Sequence, residues 1–489
     1  MNKAIKLNAA DNVAVALCDI KKGDNVFGIT ALEDIPKAHK ILLCDLKEGE
    51  NIVKYGYPIG HIVCDTLKGS YIHEHNLKTN LTDSFEYNFG GDCEYEPQKS
   101  DTKINAYKRA DGKIGIRNEI WIIPTVGCAN KACEQIALKS KKLGLEHCDG
   151  VFAYTHPFGC SQLEEDMTNT QKVLSGIVKH PNAGGVLVVS LGCENNNLNV
   201  FKSALGSVDK NRVKFLCLQE ADDEIADGVK LVEEIYSTIK HDKREEVGID
   251  NLVVGYKCGG SDAFSGITAN PLCGKVNDLL VNAGASAILT EVPEMFGAEQ
   301  ILMTRAKNRE VFVKTVNMIN GFKDYFSSNG VVCYENPSPG NHEGGITTLE
   351  EKSLGCVQKG GTAVVTDVLS YAEPCKKRGL NLLYGPGNDI VSVTNLTAAG
   401  AHIILFTTGR GTPLGAPVPT IKISSNSDLY RKKPNWVDFN AGVLLESGDL
   451  AKSSKELLNL IITTANGEKT KNEVNGYKEI SIFKNGVIM

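Results

Sequence analysis

GVLVVSLGC, residues 185–193, is a run of apolar residues that ends in a Gly-Cys pair. A strand that is apolar at successive positions, rather than at alternate ones, is typical of a parallel sheet covered on both faces. Similar runs at 120–126 and 150–154 also lead to Gly-Cys pairs, and helical patterns follow them. Strands that alternate with helices predict an α/β fold with largely parallel sheets.

The character of the sequence changes along the chain and divides it into predicted domains. Residues 1–93 hold short apolar runs separated by turns, which predicts a small, mostly β domain. Residues 94–103, EYEPQKSDTK, are polar and aperiodic and are predicted to be a linker. Strand–helix alternation occupies residues 104–242, and it resumes over residues 250–489 after a charged boundary. We therefore predict a second α/β domain and a C-terminal α/β domain.

Composition limits the classes of function. The 489 residues carry a formal net charge of -6, which argues against a nucleic-acid partner. No apolar run approaches the roughly 20 residues of a membrane span, and the N-terminus shows no secretory signal. Fifteen cysteines without such a signal indicate reduced thiols and a cytoplasmic location. A small anionic substrate remains compatible because it needs only a few local cations.

The segment GSYIHEHNLKTN, residues 69–80, contains two histidines separated by one residue. On a strand, His73 and His75 would project from the same face as Tyr71. Two imidazoles on one face make half of a divalent-metal site. The alternative is a surface strand whose histidines contact only solvent.

Polar, glycine-rich loops follow the predicted parallel strands, where ligands bind in open α/β sheets. Cys128, Cys160 and Cys193 lie in three of these loops, at predicted strand ends. Three such thiolates could bind an iron–sulfur cluster with one open iron. The alternative is that each cysteine simply packs where a strand turns into a helix.

Two further loops offer polar groups. Arg410 lies in a loop rich in glycine and proline, where it could clamp a carboxylate or serve as a surface arginine in a turn. His342 and Glu343 lie together in the polar loop at 336–345, so that loop supplies a histidine and a carboxylate for acid–base chemistry, or is simply solvated.

Five motifs carry a family resemblance that spans essentially the whole chain. They are YGYPIGHI at 55–62, GSYIHEHN at 69–76, YKRADGKIGIRNE at 107–119, GRGTPLGAPVPTIKISSNSDL at 409–429 and KPNWVDFNAG at 433–442. With these motifs the sequence resembles the altronate/galactarate dehydratase family. The last motif is more similar to the altronate branch than to the galactarate branch.

The resemblance implies an N-terminal β-rich SAF domain, a two-part dehydratase body and an iron-dependent hydro-lyase activity. The implied reaction converts D-altronate to 2-dehydro-3-deoxy-D-gluconate and water through a metal-stabilised enediolate. Galactarate or a related sugar acid is the alternative substrate, and a non-catalytic sugar-acid sensor is the alternative of another class. The implied partner is a small sugar acid, without nucleic acid or membrane, and a homo-oligomer is allowed.

The resemblance also implies residue roles. The implied cofactor is Fe²⁺, replaceable by another divalent ion, and the iron–sulfur cluster is the lesser alternative. The family motifs include His73, His75, Arg117, Asn118 and Arg410, so the resemblance implies metal binding by the two histidines and substrate binding by the other three. Thr412, in the same loop as Arg410, is a further candidate for substrate binding. His156 and His342 lie outside the motifs and are our candidates for acid–base catalysis.

Overall fold

The computed structural model describes residues 3–81, 86–334 and 336–486, so the outermost residues of the first and last predicted domains lie outside it. The described chain has three parts: an N-terminal part (3–81), a middle part (103–248) and a C-terminal part (249–486). Residues 94–102, within the predicted linker, contain neither helix nor strand. Among the described residues, none of the helices combines the length and the apolar character that crossing a membrane requires.

The N-terminal part consists of short strands that pair only in antiparallel fashion among its described residues. Two sheets have the strand orders β1-β2-β5-β8 and β6-β7-β9, and β3 pairs with β4. The strands are β1 (Ala4–Ile5), β2 (Val13–Ala16), β3 (Asn25–Val26), β4 (Ile29–Thr30), β5 (Lys40–Leu42), β6 (Asn51–Lys54), β7 (Tyr57–Ile62), β8 (Tyr71–Ile72) and β9 (Leu77–Lys78).

The middle part is built around a parallel sheet with the order β13-β12-β14-β15. A separate antiparallel sheet, β11-β10-β16, lies where the chain enters and leaves this part. The elements are β10 (Lys103–Lys108), β11 (Ile114–Gly115), β12 (Glu119–Pro124), α1 (Asn130–Ser140), β13 (Val151–Ala153), α2 (Glu164–Val178), β14 (Ala183–Ser190), α3 (Leu198–Leu205), β15 (Val213–Cys217), α4 (Glu224–Ile239) and β16 (Arg244–Gly248).

The C-terminal part holds a larger parallel sheet, with the order β19-β20-β18-β17-β21-β22-β23. Its elements are β17 (Val253–Cys258), α5 (Ala269–Asn282), β18 (Ser286–Leu289), α6 (Glu299–Met303), α7 (Arg309–Ser328), α8 (Pro339–Glu343), α9 (Leu349–Cys356), β19 (Val365–Leu369), β20 (Gly379–Leu383), α10 (Asp389–Ala398), β21 (Ile403–Thr408), β22 (Thr420–Ser424), α11 (Ser427–Lys432), β23 (Phe439–Asn440), α12 (Leu444–Ser447), α13 (Leu450–Ala465) and α14 (Lys471–Val474).

The predicted fold class is confirmed: a small β-rich N-terminal part precedes an α/β body with parallel sheets. Every residue of β14 is buried, as its unbroken apolar sequence predicts for a central strand between two helical layers. In the larger sheet the strand order reverses at β17, because β18 lies on one side of it and β21 on the other. Ligands bind at such switch points, at the carboxyl ends of the strands.

A buried ion network joins the N-terminal and C-terminal parts. The Nζ atoms of Lys40 and Lys54 lie 2.8 Å and 2.7 Å from the two carboxylate oxygens of Glu351 on α9. Lys40 also donates to the hydroxyl of Thr347 at 2.8 Å. Burial lowers the pKa of Lys40 to about 8. Burial raises the pKa of Glu351, but the two lysines outweigh it and bring the value to about 2. The carboxylate is therefore charged.

Candidate active site

A cavity of about 610 Å³ opens at the carboxyl edge of the larger parallel sheet, beside the switch point. Its walls include residues 258–261 after β17, 293–294 after β18 and 386–389 after β20, together with Lys352 from α9. Another cavity, of about 650 Å³, has two histidines in its walls, His180 and His402. Both histidines form hydrogen bonds with backbone groups. We therefore place the candidate active site at the first cavity, which we call the strand-edge cavity.

Two thiols and a carboxylate meet at this cavity. The Sγ atoms of Cys258 and Cys356 lie 3.4 Å apart, and they lie 2.8 Å and 3.2 Å from Oε2 of Glu294. All three side chains are buried. Among the described residues, they form the one group of three His, Cys, Asp or Glu side chains whose ligand atoms all lie within 4.8 Å of one another.

This trio could hold a metal ion, because thiolate sulfur and carboxylate oxygen are established ligands of divalent zinc and iron. The hydrogen bond from Cys356 and the nearby Lys359 and Lys257 lower the pKa of Cys258 to about 6, against the effects of burial and Glu294. A thiolate is the form that binds a metal. The electrostatics of the site therefore suit Cys258 to that role.

Buried lysines surround the trio. Lys352 Nζ lies 2.8 Å from Oε1 of Glu294, and Lys257 Nζ lies 2.8 Å from Oδ1 of Asp389 and also contacts Glu291. Burial disfavours the charge on Lys352, but Glu294 and the thiols raise its pKa well above the ordinary value. Lys352 is therefore a fixed positive charge at the cavity wall. Such charges suit an anionic substrate.

A histidine-rich group lies on the other side of the loop at 336–341. Glu74 lies between two imidazoles, 3.6 Å from Nε2 of His73 and 3.4 Å from Nε2 of His342. Burial, with Lys40 and His39, lowers the pKa of His73 to about 3, so its ring is neutral. Glu74 and His342 line a smaller cavity, of about 150 Å³, and Asn336 lines both this cavity and the strand-edge cavity.

The structure does not place His73 and His75 on one face of a strand. Residues 73–76 form a turn, closed by hydrogen bonds from the backbone N–H groups of Asn76 and Leu77 to the carbonyl of His73. His73 faces His342, whereas His75 is exposed and its ring packs against Tyr71 with 5.4 Å between centroids. The ring of His73 also stacks on Tyr71, with 5.6 Å between centroids. The strand prediction is wrong here, and joint metal binding by the pair stays a prediction.

Arg410 lies beside the same loop. Its guanidinium contacts the carbonyl of Gly340 at 3.2 Å and Glu343 at 2.9 Å, and about half of its side chain is exposed. His342 and Glu343 both belong to α8, so that helix links Arg410 to the histidine group. Thr412 follows in the same loop, but its hydroxyl accepts from the backbone of Leu414 and its carbonyl accepts from Lys422.

Arg117 joins the middle part to the C-terminal part, and Asn118 serves the packing of the middle part. Arg117 is buried and donates twice to Glu473 and also to the carbonyls of Ile116, Thr464 and Glu468. All five of its N–H donors are used, so none is free for a substrate carboxylate. Asn118 donates to two carbonyls and accepts from Arg109, which corrects the expectation that this pair binds substrate.

His156 is also held by backbone groups. Its Nε2 bonds to the carbonyl of Pro124 at 2.8 Å, and its Nδ1 accepts from the N–H of Phe158 at 3.2 Å. Burial lowers the pKa of His156 to about 4. With both nitrogens engaged, this histidine holds the loops after β12 and β13 together, and the expected acid–base role is not supported.

The residues missed by sequence reasoning are Cys258, Glu294, Lys352 and Cys356. Two of them lie in loops that the strand-end rule does select, Lys257–Asp262 and Glu291–Glu294. Cys356 lies on a helix far along the chain, and no local spacing connects it with Cys258. Their juxtaposition appears only in three dimensions.

Three family models match consecutive parts of the chain. The altronate/galactarate dehydratase SAF domain matches residues 2–80. The second domain of D-galactarate dehydratase/altronate hydrolase matches residues 106–240, and the C-terminal model of D-galactarate/altronate dehydratase matches residues 249–488.

Full-length relatives match as well. An altronate dehydratase of Escherichia coli (strain K12) is 47% identical over 492 residues, which cover 99% of each chain. An altronate dehydratase of Bacillus subtilis (strain 168) is 49% identical over 498 residues, covering all of both chains. A galactarate dehydratase (L-threo-forming) of Escherichia coli (strain K12) is 30% identical over 497 residues, covering 95% of this chain and 93% of the relative.

Proposed function

The chain belongs to the altronate/galactarate dehydratase family, and on that basis we propose that it converts D-altronate to 2-dehydro-3-deoxy-D-gluconate and water. It is a sugar-acid hydro-lyase. Identities of 47% and 49% to two altronate dehydratases, against 30% to a galactarate dehydratase, favour altronate as the substrate. A non-catalytic sensor is not favoured by such similarity.

The observation that carries the proposal is the meeting of the thiol–carboxylate trio and the buried lysines at the strand-edge cavity. Removing a proton from C2 of an aldonate places a second negative charge next to the carboxylate. Preorganised positive groups in a site from which water is excluded stabilise such charge strongly. Lys352 is preorganised in this sense, because Glu294, Asn336 and Asn341 fix its ammonium group within 3.2 Å.

We propose that Cys258, Glu294 and Cys356 hold the divalent metal, and that this metal is iron. A bound ferrous ion would supply Lewis acidity toward the substrate carboxylate and the C2 hydroxyl. The trio fits such an ion because its three ligand atoms lie within 4.8 Å of one another and Cys258 favours the thiolate.

The remaining roles fall to Lys352 at the cavity wall and to Arg410 and His342 beyond the loop at 336–341. Lys352 places its positive charge beside the carboxylate of the sugar acid, and Arg410 contacts the polar end of the substrate. His342 is the proposed acid for the departing C3 hydroxyl. Its Nδ1 bonds to the carbonyl of Ile346 at 3.0 Å, and its Nε2 can hold a proton directed toward Glu74. His73 supports this group through its contact with the His342 ring.

The activity test is direct. Purified protein is incubated anaerobically with ferrous iron and D-altronate, and the 2-keto acid is measured by its semicarbazone absorbance. We expect product from altronate and little from galactarate. Product from galactarate alone would transfer the assignment to the sister activity, and product from neither would contradict the proposed function.

The metal test uses single variants of the trio. Cys258→Ser, Cys356→Ser and Glu294→Gln should each bind less iron by elemental analysis and lose activity. Cys273→Ser is the matched control, since Cys273 is buried in the same part of the chain but lies outside the trio. Full iron binding in all three trio variants would contradict the assignment of the site. Cytoplasmic location and homo-oligomer formation stay part of the proposal, and light scattering measures the latter.

A further inference from the structure

We infer that the middle part carries a second cofactor site, in which Cys128, Cys160 and Cys193 bind an iron–sulfur cluster and leave one iron open. This site lies on a different sheet from the cavity of the proposed function. It therefore adds to that function and does not depend on it.

The three cysteines occupy equivalent places in the parallel sheet of the middle part. Each follows a glycine in the loop after a strand: Cys128 after β12, Cys160 after β13 and Cys193 after β14. β12 lies between β13 and β14, so the three loops are neighbours at one edge. The chain order reverses at β12, and the edge is therefore a switch point like that of the larger sheet.

Backbone hydrogen bonds hold the three loops together. The N–H of Gly127 donates to the carbonyl of Phe158 at 2.9 Å, which joins the first and second loops. The N–H of Asn196 donates to the carbonyl of Gly159 at 3.0 Å, which joins the second and third. These bonds involve residues next to Cys128 and Cys160, and a residue three positions after Cys193.

Glycine permits this close approach. A Cβ atom at Gly159 would lie 2.0 Å from the carbonyl oxygen of Thr125, and Gly159 has a φ of +103°. A side chain there would separate the loops after β12 and β13, so the residue before Cys160 has to be glycine. The Gly-Cys pairing thus has a geometric reason: the glycine brings the backbones together, and the cysteine presents a thiol beside the contact.

The exposure of the three thiols argues against a packing role. Cys128, Cys160 and Cys193 are all exposed, whereas Cys133, four residues into α1, is fully buried in the core. Cysteines that serve packing would be buried like Cys133. Cys193 Sγ also accepts from the Nε2 group of Gln219 at 3.5 Å, and such N–H donors tune cluster thiolates.

The three thiols are not placed to share a single ion. Among the described residues, these three do not form a group with ligand atoms within 4.8 Å, the reach of one ion. A cluster is several atoms wide, so its cysteines lie farther apart than the ligands of a single ion. A buried amide beside Cys160 also has an unused donor: Gln162 is 4% exposed, and its Nε2 has no hydrogen-bond partner among the described residues.

The sheet edge that carries the three cysteines is connected to the strand-edge cavity. Asp166, in the first turn of α2, accepts from the backbone N–H groups of Asn485 and Gly486 at 2.8 Å and 2.7 Å. Phe483, two residues earlier, lines the strand-edge cavity. The loop that carries Cys160 therefore leads directly into the helix that anchors the cavity rim.

The test is anaerobic reconstitution of the full chain with sulfide and equal amounts of ferrous and ferric iron, which together supply the mixed oxidation state of a cubane cluster. We expect a broad absorbance near about 400 nm and roughly four iron and four sulfide per chain, as cubane clusters give. Cys128→Ser, Cys160→Ser and Cys193→Ser should each lose most of this absorbance. Cys18→Ser is the control, because Cys18 is equally exposed but lies in the N-terminal part.

Two results would overturn the inference: wild-type protein without acid-labile sulfide after reconstitution, or an unchanged spectrum in the triple serine variant. Circular dichroism and the thermal unfolding midpoint show whether the variants remain folded, and serine at exposed positions should preserve both. Failure of this test leaves altronate turnover intact, and failure of altronate turnover leaves the spectrum intact, so the two proposals are distinguished.

Discussion

Lys40 of the N-terminal part and Glu351 of helix α9 form an ion pair in which both side chains are buried and Nζ lies 2.8 Å from Oε2. Helix α9 also carries Lys352, which lines the strand-edge cavity, and Cys356, which belongs to the trio with Cys258 and Glu294. The N-terminal part therefore fixes the position of a helix that supplies two groups to the site. Loss of this pair should affect both stability and activity.

We expect Lys40→Met to destabilise the protein by about 3–5 kcal/mol, because it leaves part of a buried carboxylate without its partner. The same variant should lower kcat, since α9 loses one of the buried ion pairs that hold it to the N-terminal part. Urea denaturation and steady-state kinetics measure the two effects.

Lys47→Met is the matched control. Lys47 pairs with Asp65 at 2.7 Å, but their side chains are 79% and 62% exposed. Exposed pairs contribute about 0–1 kcal/mol, so this change should alter neither stability nor turnover appreciably. Equal effects of the two substitutions would contradict a special role for the buried network.

Arg117 and Arg410 should respond differently to replacement by methionine. Arg117→Met removes five donors and leaves Glu473 buried without its cation, so we expect a loss of at least about 3 kcal/mol in unfolding free energy. Arg410→Met removes an exposed contact and should cost less than about 1 kcal/mol but raise KM for the sugar acid. A raised KM with unchanged stability in the Arg117 variant would restore its expected role in substrate binding.

His73 and His75 should also respond differently to replacement by alanine. His73 contacts His342 and the hydroxyl of Thr347, at 3.0 Å, whereas His75 is exposed beside Tyr71. We expect His73→Ala to lower kcat/KM by about 10²-fold, the scale of acid–base catalysis, and His75→Ala to leave it nearly unchanged. Equal losses of activity and of bound iron in both variants would support the paired metal site predicted from the sequence.

His402 should contribute to acid sensitivity. Burial lowers the pKa of His402 to about 4, and its Nδ1 accepts from the N–H of Val253 at 3.0 Å. Between pH 6.5 and 4 the unfolded chain binds a proton at this site that the folded chain excludes, so stability falls as the pH falls.

The total loss from this one group is roughly 3 kcal/mol, from about 1.4 kcal/mol per pH unit. His402→Asn keeps an acceptor for Val253 and removes the titration. Its unfolding free energy should decline less than that of the wild type over the same pH range. Parallel declines in the two proteins would exclude this histidine as the cause.

Local patterns predict the parallel strands well because burial on both faces leaves a continuous apolar sequence, as in β14. They fail at α9, whose sequence LEEKSLGC resembles a polar surface helix although all its residues are buried. Glu351 of this helix is paired with Lys40 and Lys54, about 300 residues earlier in the chain. No local rule reports partners at such a distance.

The HxH segment contains a residue that predicts a turn, Asn76, next to a histidine spacing that predicts a strand. The Asn76 side chain accepts from the N–H of His73 at 3.0 Å and donates to the carbonyl of Tyr71 at 2.9 Å. Asparagine side chains often bond to nearby backbone groups in this way and form turns. Asn76 therefore predicts the turn that replaces a strand at residues 73–76.

The pairing of β10 with β16 has a consequence for how this protein can be rebuilt. Lys103, where the chain enters the middle part, lies opposite Gly248, where it leaves. Entry and exit are thus adjacent, so the middle part is inserted at a single point of the chain. It is nevertheless not a removable module, because Trp121 and Val186 share one hydrophobic core with Leu383 and Ile404 of the C-terminal part. Excision at this point would therefore expose apolar surface on the C-terminal part.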